Sequence, residues 1–154
     1  MKGARAEREL LHIFYDNGWS VIRSSGSGVN ALSPDVIFLK DREALCIECK
    51  AWEKGSLSLD PEQFEKLIEW ERNTSFPTYV AWRMNGKGWF FIRLDEFRRA
   101  EKNFTVTMKR TMEINRRTDS VLGRKTQAVE VHQVPQQEAQ AQRESIKTSI
   151  TYPK

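Results

Sequence analysis

Pro34-Asp35 and, thirteen residues later, Glu48-Cys49-Lys50 are the parts of this 154-residue chain whose residue types and spacing suit chemistry. Two carboxylates supply hard oxygen ligands that hold Mg²⁺ and leave places in its shell for water and a substrate oxygen. A metal so held lowers the pKa of bound water and offsets the charge that builds on a phosphoryl centre. Lys50 adds a compact cation able to orient or help deprotonate that water, or to steady the phosphate. An acid and a lysine two apart are common on half-exposed strands. The preceding Pro-Asp, the spacing and the apolar flanks together point to a metal-dependent phosphodiesterase of unspecified kind.

Those flanks say how the charges are positioned. Val36-Ile37-Phe38-Leu39 and Ala44-Leu45-Cys46-Ile47 are bulky, in part β-branched or aromatic, and read as strands. Lys40-Asp41-Arg42-Glu43 between them is polar and short enough for a hairpin loop. Residues two apart on a strand share a face, so Glu48 and Lys50 point the same way, and Asp35 reaches that face if the strands pair. Charges at the end of an apolar sheet are costly unless they bind something.

The rest of the chain must build the support. Residues 3–17 read as a helix with an apolar stripe of Leu10, Leu11 and Phe14, Ile13 beside it, and a stop at Asn17-Gly18. Glu7 lies on that stripe, whereas Arg5, Glu9, His12 and Asp16 face solvent. Helical geometry leaves Glu7 open between a buried acid with a partner and a boundary residue favoured by the helix dipole. Residues 19–23 form a short strand, and Ser24-Ser25-Gly26-Ser27-Gly28-Val29-Asn30 is either a plain connector or a phosphate-contacting loop feeding Asp35.

A second helix begins at Asp60-Pro61-Glu62-Gln63, with an Asx cap, proline in the first turn and Gln63 closing a capping box. Phe64, Leu67, Ile68 and Glu71 follow one stripe of it, and Gln63, Leu67 and Trp70 another. Residues 78–82 and 89–92 are strands joined at Asn85-Gly86-Lys87-Gly88. Trp89-Phe90-Phe91 places aromatics on both strand faces, so one face meets the core and the other a helix or a second subunit. Residues 94–100 read as a short helix and 104–108 as a last strand.

Composition bounds the whole. The length suits one domain with a real core. No apolar run approaches 18 residues and the charged N-terminal segment is no signal peptide, which implies a soluble, intracellular, cytoplasmic protein with no membrane partner. Cys46 and Cys49 have no second Cys/His pair to complete a zinc site, and three apart on a strand they face opposite ways, as core thiols. The net charge of +4 says little about the body: residues 1–103 hold 16 basic and 16 acidic residues, and 104–154 hold 9 and 5. Aromatics also thin out sharply after residue 104. The expected organisation is a folded domain over 1–110 and a basic, polar, flexible tail over 111–154, with a partner-docking helix as the alternative for the tail.

Lys2-Gly3-Ala4-Arg5-Ala6-Glu7-Arg8-Glu9-Leu10, Val21-Ile22-Arg23-Ser24-Ser25-Gly26-Ser27, Pro34-Asp35 and Ile47-Glu48-Cys49-Lys50 occur in order at close spacing. Over roughly residues 2–104 the chain resembles the archaeal-type Holliday junction resolvases of the PD-(D/E)xK nuclease superfamily. The resemblance implies an α/β, restriction-endonuclease-like core: a central mixed five-stranded sheet flanked by helices, in a homodimer with one site per subunit. It also implies resolution of four-way DNA junctions by metal-dependent paired phosphodiester hydrolysis. The implied cofactor is Mg²⁺, with Mn²⁺ able to substitute, and no small-molecule cofactor.

Carried over residue by residue, Asp35, Glu48 and the Cys49 backbone carbonyl would ligate the metal, and Lys50 would be the catalytic lysine. Glu7 would be the helix-borne acid, touching metal through water. Arg8 and Arg23 would lie near the scissile phosphate, Ser27 would assist cleavage from its loop, and Lys2, Arg5 and Ser25 would complete the DNA-binding set. The stretch beyond 110 has no counterpart in the resemblance. Two other readings compete: a restriction- or repair-type endonuclease on the same fold, and a non-catalytic DNA-binding protein. The first would be marked by an appended specificity domain, of which none is evident. The second would be marked by a broken acid/lysine set, and this one is intact.

Overall fold

The computed structural model of the protein describes residues 2–24 and 32–123, the Lys2 side chain excepted. In chain order these form α1 (Lys2–Asp16), β1 (Ser20–Arg23), β2 (Val36–Lys40), β3 (Glu43–Ala51), β4 (Ser56–Leu59), α2 (Pro61–Thr74), β5 (Thr78–Met84), β6 (Gly88–Arg93), β7 (Arg98–Arg99), β8 (Phe104–Thr107), α3 (Met108–Ile114) and α4 (Thr118–Leu122). The main sheet runs β1-β2-β3-β5-β6 and is mixed, because β3 and β5 are parallel while its other pairs are antiparallel. The expected five-stranded architecture is therefore present. Among the described residues no helix is long and apolar enough to cross a membrane.

Asp41 and Arg42 alone turn β2 into β3, both with positive φ (48° and 69°). The twist of the paired strands selects that left-handed pair, which glycine would adopt more freely. The turn sets Val36 opposite Ile47, and one further step along that register puts Asp35 opposite Glu48. Parallel pairing of β3 with β5 requires a long crossover, supplied here by β4 and α2. At the start of α2, Asp60 Oδ1 accepts from Gln63 N at 2.9 Å, and the helix ends at a left-handed Ser75. The capping box is only half made. The Gln63 side chain reaches Glu48 instead, a charged acceptor that outcompetes a backbone amide.

Each face of the sheet carries its own apolar core. On one, Leu10 and Phe14 of α1 pack over Val36, Phe38, Leu45, Ile47, Tyr79 and Phe91. On the other, Phe64 and Leu67 of α2 pack with Leu57, Leu59, Val80, Trp82, Phe90 and Ile92. Stacked pairs Phe14–Phe38 and Phe64–Phe104, each with centroids 3.9 Å apart, add about 0.5–1.5 kcal/mol apiece beyond area burial. Trp89 and Phe91 join the first core and Phe90 the second, so both faces of β6 are covered within one chain. The cysteines do face opposite ways. Cys46 Sγ accepts from Trp70 Nε1 on the α2 side at 3.1 Å, and Cys49 packs on the α1 side.

Several elements differ from the sequence reading. Ser56–Leu59 is a strand, the first of a small sheet ordered β4-β8-β7. Leu94–Glu96 makes a single 3-10 turn, after which the chain extends into β7 rather than continuing as a helix. Glu9, assigned to solvent, is half-buried and accepts from Arg83 Nε at 2.9 Å and Trp89 Nε1 at 3.0 Å, tying α1 to β5 and β6. The largest correction concerns the boundary at 110, which falls inside α3. Thr111 is buried and Val121 lies wholly inside the α1-side core.

Between them, Arg116 closes the β6 edge: its carbonyl accepts from Phe91 N at 2.9 Å and its Nη1 donates to Phe91 O at 3.0 Å. The same guanidinium grips both carboxylate oxygens of Glu96 at 2.8 Å. An uncovered strand edge invites pairing with other chains, and this segment blocks it. Composition hid the role because a guanidinium and a main-chain amide do the work that an apolar stripe would have advertised. The expectation of a flexible tail fails for residues 111–123; residues 124–154 lie outside those described.

Candidate active site

The carboxylates converge at one end of the β2–β3 hairpin. Asp35 sits just before β2, and its Oδ2 accepts from Cys49 N at 2.8 Å, so the neighbouring strand's main chain orients it. Glu48 is 6% exposed on the sheet face covered by α2. Its Oε1 accepts from Lys50 Nζ at 2.8 Å and from Gln63 Nε2 at 2.6 Å. Both donors meet at the same oxygen, and the Asp35 main-chain amide also donates to this carboxylate. Glu7, half-buried on α1, pairs with Arg23 Nε at the end of β1. The ambiguity over Glu7 resolves in favour of a partnered acid.

Burial pushes the Asp35 carboxyl above the ordinary range; the Cys49 amide, Lys50 and Arg23 oppose that rise and the Glu7 charge adds to it. Burial likewise raises Glu48, Lys50 opposes it, and Asp35 raises it further. A half-buried and a buried acid thus disfavour each other's charge, with one ammonium beside them. A divalent cation would relieve that repulsion, and hard carboxylate oxygens are its preferred donors. Among the described residues no group of three His, Cys, Asp or Glu side chains is disposed to hold an ion. A metal here would rest on Asp35, Glu48, main-chain oxygen and water. The Cys49 thiol is pushed well above its usual range by burial, then by the Asp35 and Glu48 charges, which keeps it protonated and inert beside the site.

Of the residues singled out from sequence, Glu7, Arg23, Asp35, Glu48 and Lys50 come together. Arg5 and Arg8 are exposed on α1, and Arg8 Nε turns back to the Ala4 carbonyl at 3.3 Å. Ser25 and Ser27 lie outside the described residues, as does the Lys2 side chain. Gln63 is the site residue that sequence reasoning placed but did not use. Its shared stripe with Leu67 and Trp70 already put it on the sheet-facing side of α2. Gln63→Met keeps the side-chain volume and deletes the donor to Glu48. It is expected to slow single-turnover cleavage about 10- to 100-fold, as loss of a ligand-orienting hydrogen bond does, with metal-free DNA affinity unchanged in gel shifts.

A family description for archaeal Holliday junction resolvases (Hjc) matches residues 1–138. Over 106 residues the chain is 35% identical to the crossover junction endodeoxyribonuclease Hjc of Archaeoglobus fulgidus, covering 68% of this chain and 78% of that one. It is 33% identical over 103 residues to the Hjc of Sulfolobus acidocaldarius, covering 65% and 71%. The solved structure of A. fulgidus Hjc, a Holliday junction resolvase from an archaeal hyperthermophile, superposes with a TM-score of 0.71 at 28% identity, over 82% of this chain and all of that one. With the constellation of Asp35, Glu48 and Lys50 held on the same fold, the chain belongs to the archaeal Holliday junction resolvase family.

Proposed function

We propose that the protein is a structure-selective endonuclease that resolves four-way DNA junctions by Mg²⁺-dependent hydrolysis of paired phosphodiesters, with Mn²⁺ able to substitute. The observation that carries this reading is the convergence of Asp35, Glu48 and Lys50, with the Glu7–Arg23 pair alongside. Bound at Asp35, Glu48 and the Cys49 carbonyl, the metal would supply an acidified water and charge neutralisation at the phosphate. Lys50, fixed by Glu48, would offset charge building on the phosphate oxygens. Glu7 anchors Arg23 through Nε, and the Arg23 side chain, 54% exposed, is left to meet a backbone phosphate. Such contacts read backbone shape rather than base edges, so affinity falls steeply with salt.

Two opposing nicks call for two sites, which a homodimer on a near-two-fold junction provides. Ile22, Leu39, Ile68 and Phe76 are exposed apolar side chains on β1, β2, α2 and the residues after it. Ile22 and Leu39 alternate with Val21 and Phe38, which pack on the α1 side, and so belong to the sheet face that α2 flanks. That face is our choice for the second copy. The protein would act in the cytoplasm.

The test is cleavage, with Mg²⁺, of matched four-way junction, flap and linear duplex, together with sedimentation of the free protein. Paired nicks confined to the junction, by a dimer, are expected. Equal cutting of linear duplex would overturn the structure selectivity, and a monomer that still makes paired nicks would overturn the dimer.

A further inference from the structure

Strand β3, which carries Glu48 and Lys50, stops at Ala51, and Trp52 follows. Of the five tryptophans, Trp19, Trp82 and Trp89 are buried and Trp70 is half-buried; Trp52 is 41% exposed. It is nonetheless anchored. Trp82 pairs in register with Lys50 on β5, is fully buried, and donates its Nε1 to the Trp52 carbonyl at 2.9 Å. Lys54 Nζ lies 5.2 Å from the Trp52 ring centroid. An indole with an ammonium over one face of its ring, on a main chain held by Trp82, thus stands two residues beyond the lysine of the site, roughly 7 Å along an extended chain.

An indole 41% exposed forgoes a large share of the burial that a core aromatic supplies, while its main-chain carbonyl is held by Trp82. The substrate explains which ligand fits. A continuous duplex keeps both faces of every base stacked, whereas bases at a strand exchange can expose one face. Stacking on an aromatic is tolerant of sequence, because every base has a π-face, and a neighbouring cation adds attraction to the adjoining phosphate. We propose that Trp52, with Lys54, takes an unstacked nucleobase at the crossover of the junction and so contributes to choosing junctions over linear duplex. The proposal rests on the junction-cutting reading above.

The full-length protein is mixed, in chelator, with a four-way junction carrying 2-aminopurine at the crossover, and with a linear duplex carrying it centrally. Wild type is expected to quench the junction probe. Trp52→Ala loses that quench and binds the junction about 10- to 100-fold more weakly with duplex affinity almost unchanged, while Trp52→Phe keeps most of both. Thermal melts of the two variants check that the fold is intact. A Trp52→Ala protein with wild-type quench and wild-type preference for the junction overturns the stacking role. Equal losses on junction and duplex overturn it too, as a general contact or a folding defect. Wild-type protein that does not prefer the junction at all strikes the functional reading itself, and this proposal with it.

Discussion

Asp35→Asn is expected to lower single-turnover cleavage of a four-way junction about 10³-fold while gel shifts show the junction still bound. A metal ion contributes several kcal/mol of charge stabilisation, and each 1.36 kcal/mol is tenfold in rate. Asparagine keeps an oxygen for the Cys49 amide, so the local structure survives the exchange. Stability should move the other way. Burial raises the folded-state pKa of Asp35 above its unfolded value, with Glu7 adding to the rise. The native state therefore holds that proton more tightly, and metal-free stability falls as pH climbs through the interval between the two values. At pH 7 a neutral amide removes this penalty. In chelator, Asp35→Asn should melt above wild type by calorimetry. A variant that is both slower and less stable would mark Asp35 as a structural residue.

Arg116→Ala is the second large effect, and it is on stability. The Arg116 and Glu96 side chains are 22% and 17% exposed, and removing one partner strands a largely buried carboxylate and opens the β6 edge. A fully buried pair broken this way costs 3–5 kcal/mol; discounting for exposure, about 2–3 kcal/mol is expected, or a melting temperature lower by about 10 °C. Arg116→Lys should recover less than half, because an ammonium cannot grip both oxygens of Glu96 and the Phe91 carbonyl together. Burial pushes Glu96 up, but the Arg116 hydrogen bonds and the Arg93 amide outweigh it and hold the carboxyl below its usual 4.5. That stabilisation is complete above the unfolded value and is lost as pH falls through the lower folded one, so Arg116→Ala should flatten the acid side of the stability profile. Ending the chain at Arg110 also takes Val121 from the core and should cost more than the point change. A truncation meant to probe C-terminal charge must begin beyond Leu122.

What the sequence showed and what it hid follow from the range of the forces involved. Asp35, Glu48 and Lys50 were legible because strand alternation and a short polar loop are local, and local rules fix both register and face. Glu7 was legible only as an anomaly, an acid on an apolar stripe. Its partner Arg23 comes from another element, which helical geometry cannot foresee. Gln63 carried a competing local signal, the capping box, and a tertiary acceptor won. Ser56–Leu59 was missed because four residues of serine and leucine make too short an alternation beside Lys54-Gly55. Residues 111–123 were missed for a different reason: their docking rests on Thr111, Val121, Leu122 and two arginines, Arg116 and Arg117, below what composition can register.

The two-residue turn at Asp41-Arg42 also bears on how the site is assembled in time. A hairpin with so short a loop closes in roughly 1–10 μs, because little chain entropy is lost before its contacts form. Asp35 and Glu48 are brought opposite each other by that event alone. Pairing β5 with β3 must wait for the crossover through β4 and α2 to be organised, since non-local parallel contacts form slowly. Gln63 is therefore expected to reach Glu48 late. The acidic pair is the earliest part of the site to exist, and the residues that bias its charges and geometry are added around it.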